Sequence, residues 1–100
     1  MINIDDIPFA RVEGRETGKI LQVFALTTCG FCKRAMTFMK EQEIAFSYVY
    51  IDELDPEIKQ RLKDRFFDAF GKKMLFPTLL IDGQDFLPGF IRLHWEKAVA

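Results

Sequence analysis

The apolar positions of the chain fall into short continuous runs and longer stretches with helical spacing. Residues 20–26 form a nearly continuous apolar run, which is typical of a strand covered on both faces in a parallel sheet. Apolar residues then recur at helical spacing across 30–42, with charged residues between them. Aromatic and β-branched residues over 46–51 predict a second strand, so the intervening helix is expected to be the crossover between the two strands.

A second helix is predicted by the residues at its two ends. Asp55 is a suitable N-cap, Pro56 would occupy the first helical position, where its missing N–H costs nothing, and Gly71 provides a stop. Between these residues, apolar side chains recur every four positions, which places them on one helix face. We expect that face to pack into the core; it comprises Leu54, Ile58, Leu62, Phe66 and Phe70.

The last third of the chain predicts a hairpin followed by a short helix. Asp82 and Gly83 form a favoured two-residue turn between strands predicted at 78–81 and 84–87. The order of elements is therefore β-α-β-α-β-β-α, an α/β fold with a four-stranded mixed sheet. The positions expected to be buried in the closing helix are Ile91, Leu93, Trp95 and Val99.

Length and patterning favour a single domain. One hundred residues, 49% of them hydrophobic, suffice for one compact core but not comfortably for two. We assign residues 19–100 to the α/β domain. Residues 1–18 contain scattered apolar positions followed by a polar stretch, and we interpret them as an N-terminal extension that forms an additional strand or hairpin.

The charge pattern argues against several classes of partner. Fourteen basic and fifteen acidic residues are mixed along the chain, so no basic stripe suggests nucleic acid. No apolar run approaches the roughly 20 residues that a membrane span requires. The amino terminus carries Asp5 and Asp6 where a secretory signal would have basic residues. We therefore expect a monomeric cytoplasmic protein; a periplasmic protein whose signal has been removed stays open as the alternative.

The residues best suited to chemistry are Cys29 and Cys32, the only cysteines, which lie between the first predicted strand and the first helix. Two thiols separated by two residues at a helix start can close and reopen a disulfide without large backbone movement. This spacing beside a βαβ pattern is also a redox signal. In a reducing compartment such a pair is more often catalytic or metal-binding than structural. The sequence therefore predicts a redox-active disulfide.

The two thiols are expected to have different roles. The attacking species is a thiolate, which the amino end of the helix and the positive charges of Lys33 and Arg34 favour. Cys29 lies at or just before the first turn and receives more of this field and more solvent than Cys32. We therefore predict that Cys29 is the nucleophile and Cys32 the resolving thiol. Phe31 is expected to lie partly exposed beside the sulfurs and to receive substrate, with simple packing as the alternative.

Several of these features resemble the glutaredoxins of the thioredoxin superfamily, over residues 19–100. They are Thr28 with the cysteine pair after a strand, Phe76 and Pro77 before a strand, and Gly89 at a turn. The resemblance implies a thioredoxin-like fold and a thiol–disulfide oxidoreductase that reduces protein or glutathione mixed disulfides. It also implies that the bond before Pro77 is cis, that Phe76 presents its backbone to the substrate cysteine, and that Gly89 contributes to substrate binding.

The chain departs from glutathione-binding glutaredoxins at two places. Leu26 occupies the position of a lysine that precedes the first cysteine, and Pro88 replaces the first glycine of a pair. Residues 90–92 are Phe, Ile and Arg, where those relatives have a short polar or acidic run. Glutathione is therefore one candidate cosubstrate and a thioredoxin-reductase-like donor another. The expected partners are disulfide-containing proteins, and we expect no tightly bound cofactor.

Three other functions stay open. The Cys-Gly-Phe sequence also resembles single-cysteine glutaredoxins that hold an iron–sulfur cluster between two subunits, with Cys29 as the protein ligand. A zinc site could include Cys29 and Cys32 but would need a second chain, because His94 is the only histidine. A thioredoxin-like interaction module with incidental cysteines is the third. Asp52 and Asp82 lie near predicted strand ends and are interpreted as turn residues.

Overall fold

A computed structural model describes residues 7–100 and arranges them as helices packed on both faces of a mixed sheet. The residues with the predicted strand and helix patterns form those elements, and most ends fall within one residue of the prediction. Residues 1–6, including Asp5 and Asp6, lie outside the described part of the chain. The elements are β1 (Ala10–Val12), β2 (Leu21–Ala25), α1 (Gly30–Glu41), β3 (Phe46–Tyr50), a 3₁₀ turn (Ile51–Glu53), α2 (Pro56–Phe70), β4 (Thr78–Ile81), β5 (Asp85–Pro88) and α3 (Arg92–Val99).

The sheet has the strand order β1-β3-β2-β4-β5. Strands β2 and β3 are parallel and are connected by α1, as the pattern predicts; the other neighbouring pairs are antiparallel. The expectation of four strands is corrected to five, because Ala10–Val12 of the N-terminal segment pairs with Phe46–Tyr48 at the sheet edge.

Alternation along the strands divides the core into two layers. In β2, Leu21, Val23 and Ala25 pack with residues of α1 and α3, whereas Phe24 points to the opposite face and packs with Leu62 of α2. The sheet therefore lies between α1 and α3 on one side and α2 on the other. The predicted α2 stripe contributes to the second layer: Leu62 and Phe66 are buried, and Leu54, Ile58 and Phe70 are partly buried against them.

The predicted capping of α2 is confirmed at both ends. The Asp55 carboxylate accepts a hydrogen bond from the backbone N–H of Glu57 at 3.0 Å, and Pro56 is the first helical residue. Gly71 follows the last helical residue with a φ of 68°, a left-handed conformation that glycine adopts without steric cost.

The closing helix α3 buries fewer of its residues than the pattern predicts. Trp95 and Val99 are buried as expected, but Ile91 and Leu93 are 52% and 58% exposed. Trp95 and Val99 are four residues apart and share one helix face, whereas Leu93 is two residues from Trp95 and lies on the opposite side. Ile91 precedes the helix as its N-cap. The apolar residues of this short helix therefore predict a larger buried face than the one that the structure shows.

The hairpin between β4 and β5 has a three-residue turn rather than the predicted two. Asp82 and Gly83 both have positive φ, 54° and 66°, and the N–H of Gln84 donates to the carbonyl of Ile81 at 3.0 Å. Ile81 therefore pairs with Asp85, which shifts β5 from the predicted 84–87 to Asp85–Pro88. The first predicted strand likewise begins one residue later, at Leu21, because the N–H of Ile20 binds the Asp82 side chain rather than a neighbouring strand; Ile20 is 65% exposed.

Candidate active site

The sheet register brings three separate segments to one end of the sheet. Phe24, near the carboxyl end of β2, pairs with Thr78 at the amino end of β4, and Thr78 pairs with Pro88 at the end of β5. The cysteine loop follows β2, the Phe76–Pro77 segment precedes β4, and Gly89 follows β5. The topology therefore places the three predicted parts of the site at the same end of the sheet.

Cys29 is the N-cap of α1. Its backbone is extended, and its sulfur accepts a hydrogen bond from the backbone N–H of Cys32 at 3.1 Å. This side chain thus partners one of the N–H groups that a helix start leaves unpaired. The first turn has no acidic residue, and Lys33 and Arg34 follow the cysteine pair. Cys29 is partly exposed and reduced, so its sulfur lies at the positive end of α1 with access to solvent.

Cys32 has a different environment, because it is 1% exposed and packs in the core layer beneath α1. Its sulfur accepts a hydrogen bond from the backbone N–H of Leu26 at 3.5 Å. Burial raises the pKa of the Cys32 thiol to about 12; the hydrogen bond with Cys29 and the negative charge of Asp52 act in the same direction. Cys32 therefore remains a neutral thiol at physiological pH in the reduced protein.

Asp52 holds the loop that leads into the cysteines. Its carboxylate accepts hydrogen bonds from the Thr27 backbone N–H at 3.1 and 3.3 Å, and another from the Thr27 hydroxyl. The hydrogen bond from the Thr27 side chain is the main reason that the pKa of Asp52 is lowered. Asp52 follows β3, and Thr27 follows β2, the parallel neighbour of β3. The carboxylate thus connects the ends of two adjacent strands.

The peptide bond between Phe76 and Pro77 is cis, as the resemblance implies. The carbonyl of Pro77 accepts a hydrogen bond from the N–H of Gly89 at 2.7 Å. The carbonyl of Gly89 in turn accepts one from the indole N–H of Trp95 at 3.0 Å. A buried residue of α3 therefore fixes the Gly89 turn against the Pro77 segment.

The two aromatic residues predicted for the site lie in different environments. Phe31 in the first turn of α1 is 59% exposed, and the guanidinium carbon of Arg34 lies 5.4 Å from the centre of its ring. Phe76 is half-buried and packs against both core layers. Phe31 therefore presents apolar surface to solvent near Cys29, whereas Phe76 is anchored in the fold.

Sequence reasoning missed two residues that support this site, Asp52 and Trp95. The sequence alone indicates a turn residue at Asp52, but Asp52 follows β3, the strand parallel to β2, and the carboxyl ends of parallel neighbours lie at the same end of a sheet. The predicted parallel pairing of the two strands therefore offers a signal that Asp52 lies near the cysteine loop. Trp95 was predicted only as a core residue, and no sequence signal connects its indole N–H with Gly89. Asp82 also does more than form a turn, because its carboxylate accepts the N–H of Ile20 at 2.7 Å.

Two further properties concern residues 7–100 alone. Among them, no three or more His, Cys, Asp and Glu side chains are grouped in a way that could hold a metal ion. No helix in this part of the chain is long and apolar enough to cross a membrane.

The fold and the cysteine pair at a helix start together define a thioredoxin-like protein of the class that carries redox-active thiols. The family model of the glutaredoxins matches residues 21–86. The chain belongs to the glutaredoxin family, whose members are thiol–disulfide oxidoreductases that act with glutathione as a cosubstrate. No curated protein sequence matches it significantly.

Solved structures with similar folds support the same architecture. The glutaredoxin of Methanosarcina mazei Go1 has 22% identity and a TM-score of 0.79, over 92% of this chain and 87% of its own. Methanosarcina acetivorans methanoredoxin has 23% identity and a TM-score of 0.79, over 95% of this chain and 97% of its own. A buckwheat glutaredoxin–glutathione complex has 17% identity and a TM-score of 0.62, over 83% of this chain and 74% of its own. These similarities confirm the mixed α/β, thioredoxin-like fold.

Proposed function

We propose that this protein reduces disulfides of proteins, or mixed disulfides with glutathione, through a reversible disulfide between Cys29 and Cys32. The observation that carries the proposal is the inequality of the two thiols. Cys29 is a partly exposed N-cap whose sulfur accepts the N–H of Cys32, whereas Cys32 is 1% exposed and has a raised pKa. The Cys29 sulfur is therefore accessible to a substrate, whereas the Cys32 sulfur is buried in the same turn and can react only with Cys29.

In the first step, the Cys29 thiolate attacks one sulfur of the substrate disulfide. A bond forms between the Cys29 sulfur and that substrate sulfur, and the substrate's own S–S bond breaks. The second substrate sulfur leaves as a thiolate and takes a proton from water. Phe31 and the segment of Phe76 and Pro77 are the residues that we propose contact the substrate beside the reacting sulfurs, together with Gly89.

In the second step, the Cys32 sulfur attacks Cys29 and closes the internal disulfide. The mixed disulfide breaks, and the proton of the Cys32 thiol ends on the released substrate thiol. The protein has then lost two electrons to the substrate, so a thiol donor must reduce the Cys29–Cys32 disulfide before the next cycle. Because Cys32 is a neutral thiol at physiological pH, it does not compete with Cys29 in the first step.

The identity of the thiol donor is also part of the proposal. Glutathione is the family's cosubstrate, and the buckwheat relative is a complex with it. In this chain Leu26 is partly buried; its backbone N–H binds the Cys32 sulfur, and its side chain packs against the core layer on the α2 side of the sheet. An apolar side chain here offers no charge to a glutathione carboxylate. A thioredoxin-reductase-like protein therefore remains the second candidate donor.

Two serine variants test the assignment of the thiols. Cys29→Ser should abolish the reduction of a small disulfide such as bis(2-hydroxyethyl) disulfide, because the attacking sulfur is lost. Cys32→Ser should instead accumulate a mixed disulfide on Cys29, visible by mass spectrometry under non-reducing conditions. If Cys32→Ser abolished the first step and Cys29→Ser did not, the assigned roles would be wrong.

The identity of the thiol donor is tested by measuring the reduction potential of the Cys29–Cys32 disulfide and by comparing glutathione with thioredoxin reductase as donors. Values of about −200 to −230 mV with turnover by glutathione would support glutaredoxin-like use, whereas about −270 mV with turnover only by thioredoxin reductase would support the alternative donor. Turnover with neither donor would contradict both assignments.

A further inference from the structure

A groove runs between the outer face of α1 and the segment that follows Gly89. Its volume is about 360 Å³; the half-buried ring of Phe90 supplies its apolar surface, and the buried ring of Phe38 lies against that ring. These rings lie 5.6 Å apart, centre to centre, and Phe90 also packs edge-on against Trp95. Because Phe38 and Trp95 are almost fully buried, this part of the groove is anchored in the core rather than formed by mobile side chains.

The rim of the groove is positively charged. Lys33, Arg34 and Arg92 line it, and Glu41 is the acidic residue among its lining side chains. The guanidinium carbon of Arg92 lies 5.1 Å from the centre of the Phe38 ring, and its Nε is 2.8 Å from a carboxylate oxygen of Glu96. The whole chain has a formal net charge of −1, so this cationic rim is a local feature and not a consequence of overall composition.

Both walls of the groove continue into the proposed site. On the α1 wall, Lys33 donates its backbone N–H to the carbonyl of Cys29 at 3.1 Å, so the rim begins one turn after the attacking cysteine. On the other wall, Phe90 follows Gly89, whose N–H is bonded to Pro77. A depression of the same volume on α2, lined by Gln60, Lys63 and Met74 among others, includes none of these residues and is unrelated to the cysteines.

We propose that this groove binds an acidic, extended segment of a protein substrate, next to the substrate cysteine that Cys29 attacks. The inference rests on the proposed disulfide exchange and adds the substrate class. Carboxylates of the segment pair with Lys33, Arg34 and Arg92, and an apolar side chain packs on the exposed part of Phe90. The positive rim is complementary in charge to such a segment and lies beside the reacting sulfur, and the core holds the Phe90 ring in place.

The test uses disulfide-linked peptide dimers that differ only in the residues flanking cysteine. One dimer has aspartate and glutamate there, and the other has lysine; each carries a fluorophore and a quencher on opposite strands, so that reduction is read as a fluorescence increase. Pre-reduced protein reduces each dimer in a single turnover at low ionic strength. The wild-type protein should reduce the acidic dimer about three- to tenfold faster than the basic one, as expected for a few exposed charge contacts.

Arg92→Glu should abolish or invert this preference, and Arg92→Gln should reduce it. The matched control is Lys97→Glu, which makes the same charge change on an exposed position of the same helix outside the groove. Neither Arg92 variant should change the rate with bis(2-hydroxyethyl) disulfide, which has no charge for the groove to recognise. Sodium chloride at about 1 M should remove the preference of the wild-type protein, because it screens exposed charges.

The outcomes separate this inference from the proposed function. If Lys97→Glu altered the preference as much as Arg92→Glu, net charge rather than the groove would explain it, and the inference would be overturned. Equal rates for both dimers would overturn it as well. If the small disulfide were not reduced at all, the proposed exchange activity would fail instead.

Discussion

The pKa of the Cys32 thiol is raised by the surroundings of its side chain rather than by its two-residue spacing from Cys29. The residue is 1% exposed, and its sulfur lies between the Leu26 N–H and Cys29. Removing a thiolate from water without a cationic partner disfavours the charged form, which explains the direction of the shift. The same burial protects the Cys32 sulfur, the resolving thiol of the proposed cycle, from direct attack by solvent oxidants while Cys29 remains accessible.

This environment makes stability dependent on pH. The pKa of Cys32 is raised from 9.0 to about 12 in the folded state, so the fold binds this proton more tightly than the unfolded chain does. The resulting stabilisation is complete below pH 9 and is lost as the pH rises through about 12. For the reduced protein we expect a loss of about 1 kcal/mol in unfolding free energy between pH 8 and pH 10 from this group.

Cys32→Ala provides the comparison, because all other titrating groups are shared. Urea unfolding at pH 8 and pH 10 should show a smaller decrease for the variant than for the reduced wild-type protein. Equal decreases would mean that Cys32 titrates alike in the folded and unfolded chains, contrary to its burial.

At the scale of elements, β2 is held at both ends by aspartates in the turns that follow its two neighbouring strands, β3 and β4. Asp82 accepts the N–H of Ile20 at 2.7 Å at the start of β2, and Asp52 accepts the Thr27 N–H at 3.1 Å beyond its end. The two contacts are chemically alike, but only the second adjoins the cysteine loop. Substitutions of Asp52 and Asp82 can therefore be compared to separate an effect on stability from an effect on the position of the cysteine loop.

Asp52→Asn should slow disulfide reduction by up to about tenfold, below the roughly 100-fold that a 1 Å misplacement can cost. The amide cannot keep every hydrogen bond from Thr27, and it removes a negative charge that raises the pKa of Cys32. The pH profile of Cys32 reactivity toward the Cys29 mixed disulfide should therefore shift to lower pH, which a purely structural role would not cause.

Asp82→Asn is the control for Asp52→Asn. It should lower the urea midpoint without changing the rate of reduction or its pH profile. A similar shift of the pH profile in both variants would contradict a positioning role for Asp52.

The helix α3 supports the site through a single side chain. Trp95→Phe removes the donor to the Gly89 carbonyl and shrinks a fully buried ring, and we expect a loss of about 1–3 kcal/mol in unfolding free energy. The rate of disulfide reduction should fall as well, because Gly89 binds Pro77. Phe66→Leu, in the other core layer, should cost similar stability without affecting the rate. Equal rate losses in both variants would show that stability alone explains the effect.

Local signals account for the elements that the sequence predicts well. Asp55, Pro56 and Gly71 mark the ends of α2 by interactions that span only a few residues, so they can be read without the fold. The contacts of Asp52 and Trp95 depend on which strands are neighbours and on side-chain direction. The cysteine pair is visible in the sequence itself, and the cis bond before Pro77 is implied by the resemblance to the glutaredoxins, whereas neither source predicts the hydrogen bonds that hold the site.

At the scale of the whole molecule, residues 7–12 contribute to the core and to the sheet. Ile7 is buried in the α2-side layer, and the ring of Phe9 packs edge-on against Phe24 at 5.7 Å. Strand β1 has only three residues, none of them fully buried, so its sequence carries no clear alternation. Its place in the sheet is set by pairing with β3, a long-range contact that no local pattern encodes.

The connection between β1 and β2 depends on the absence of a side chain at Gly14. A Cβ there would lie 2.6 Å from the carbonyl oxygen of Glu43 and 2.7 Å from the carbonyl carbon of Ile44. The same close approach allows two backbone hydrogen bonds. The Arg15 N–H donates to the carbonyl of Glu43 at 2.7 Å, and the Ala45 N–H donates to the carbonyl of Arg15 at 2.9 Å. Both clashing atoms are backbone, so they cannot move aside as a flexible side chain would.

Gly14→Ala should therefore lower the unfolding free energy by about 1–3 kcal/mol, as overpacking against rigid atoms usually does. Gly30→Ala is the stability control, because its Cβ would meet nothing within 4 Å and alanine favours the helix that begins there. Urea unfolding and amide exchange of β3 should show the loss in the first variant only. Equal stability of the two variants would mean that the N-terminal segment can move away from β3 at little cost, and that the five-stranded sheet does not depend on this contact.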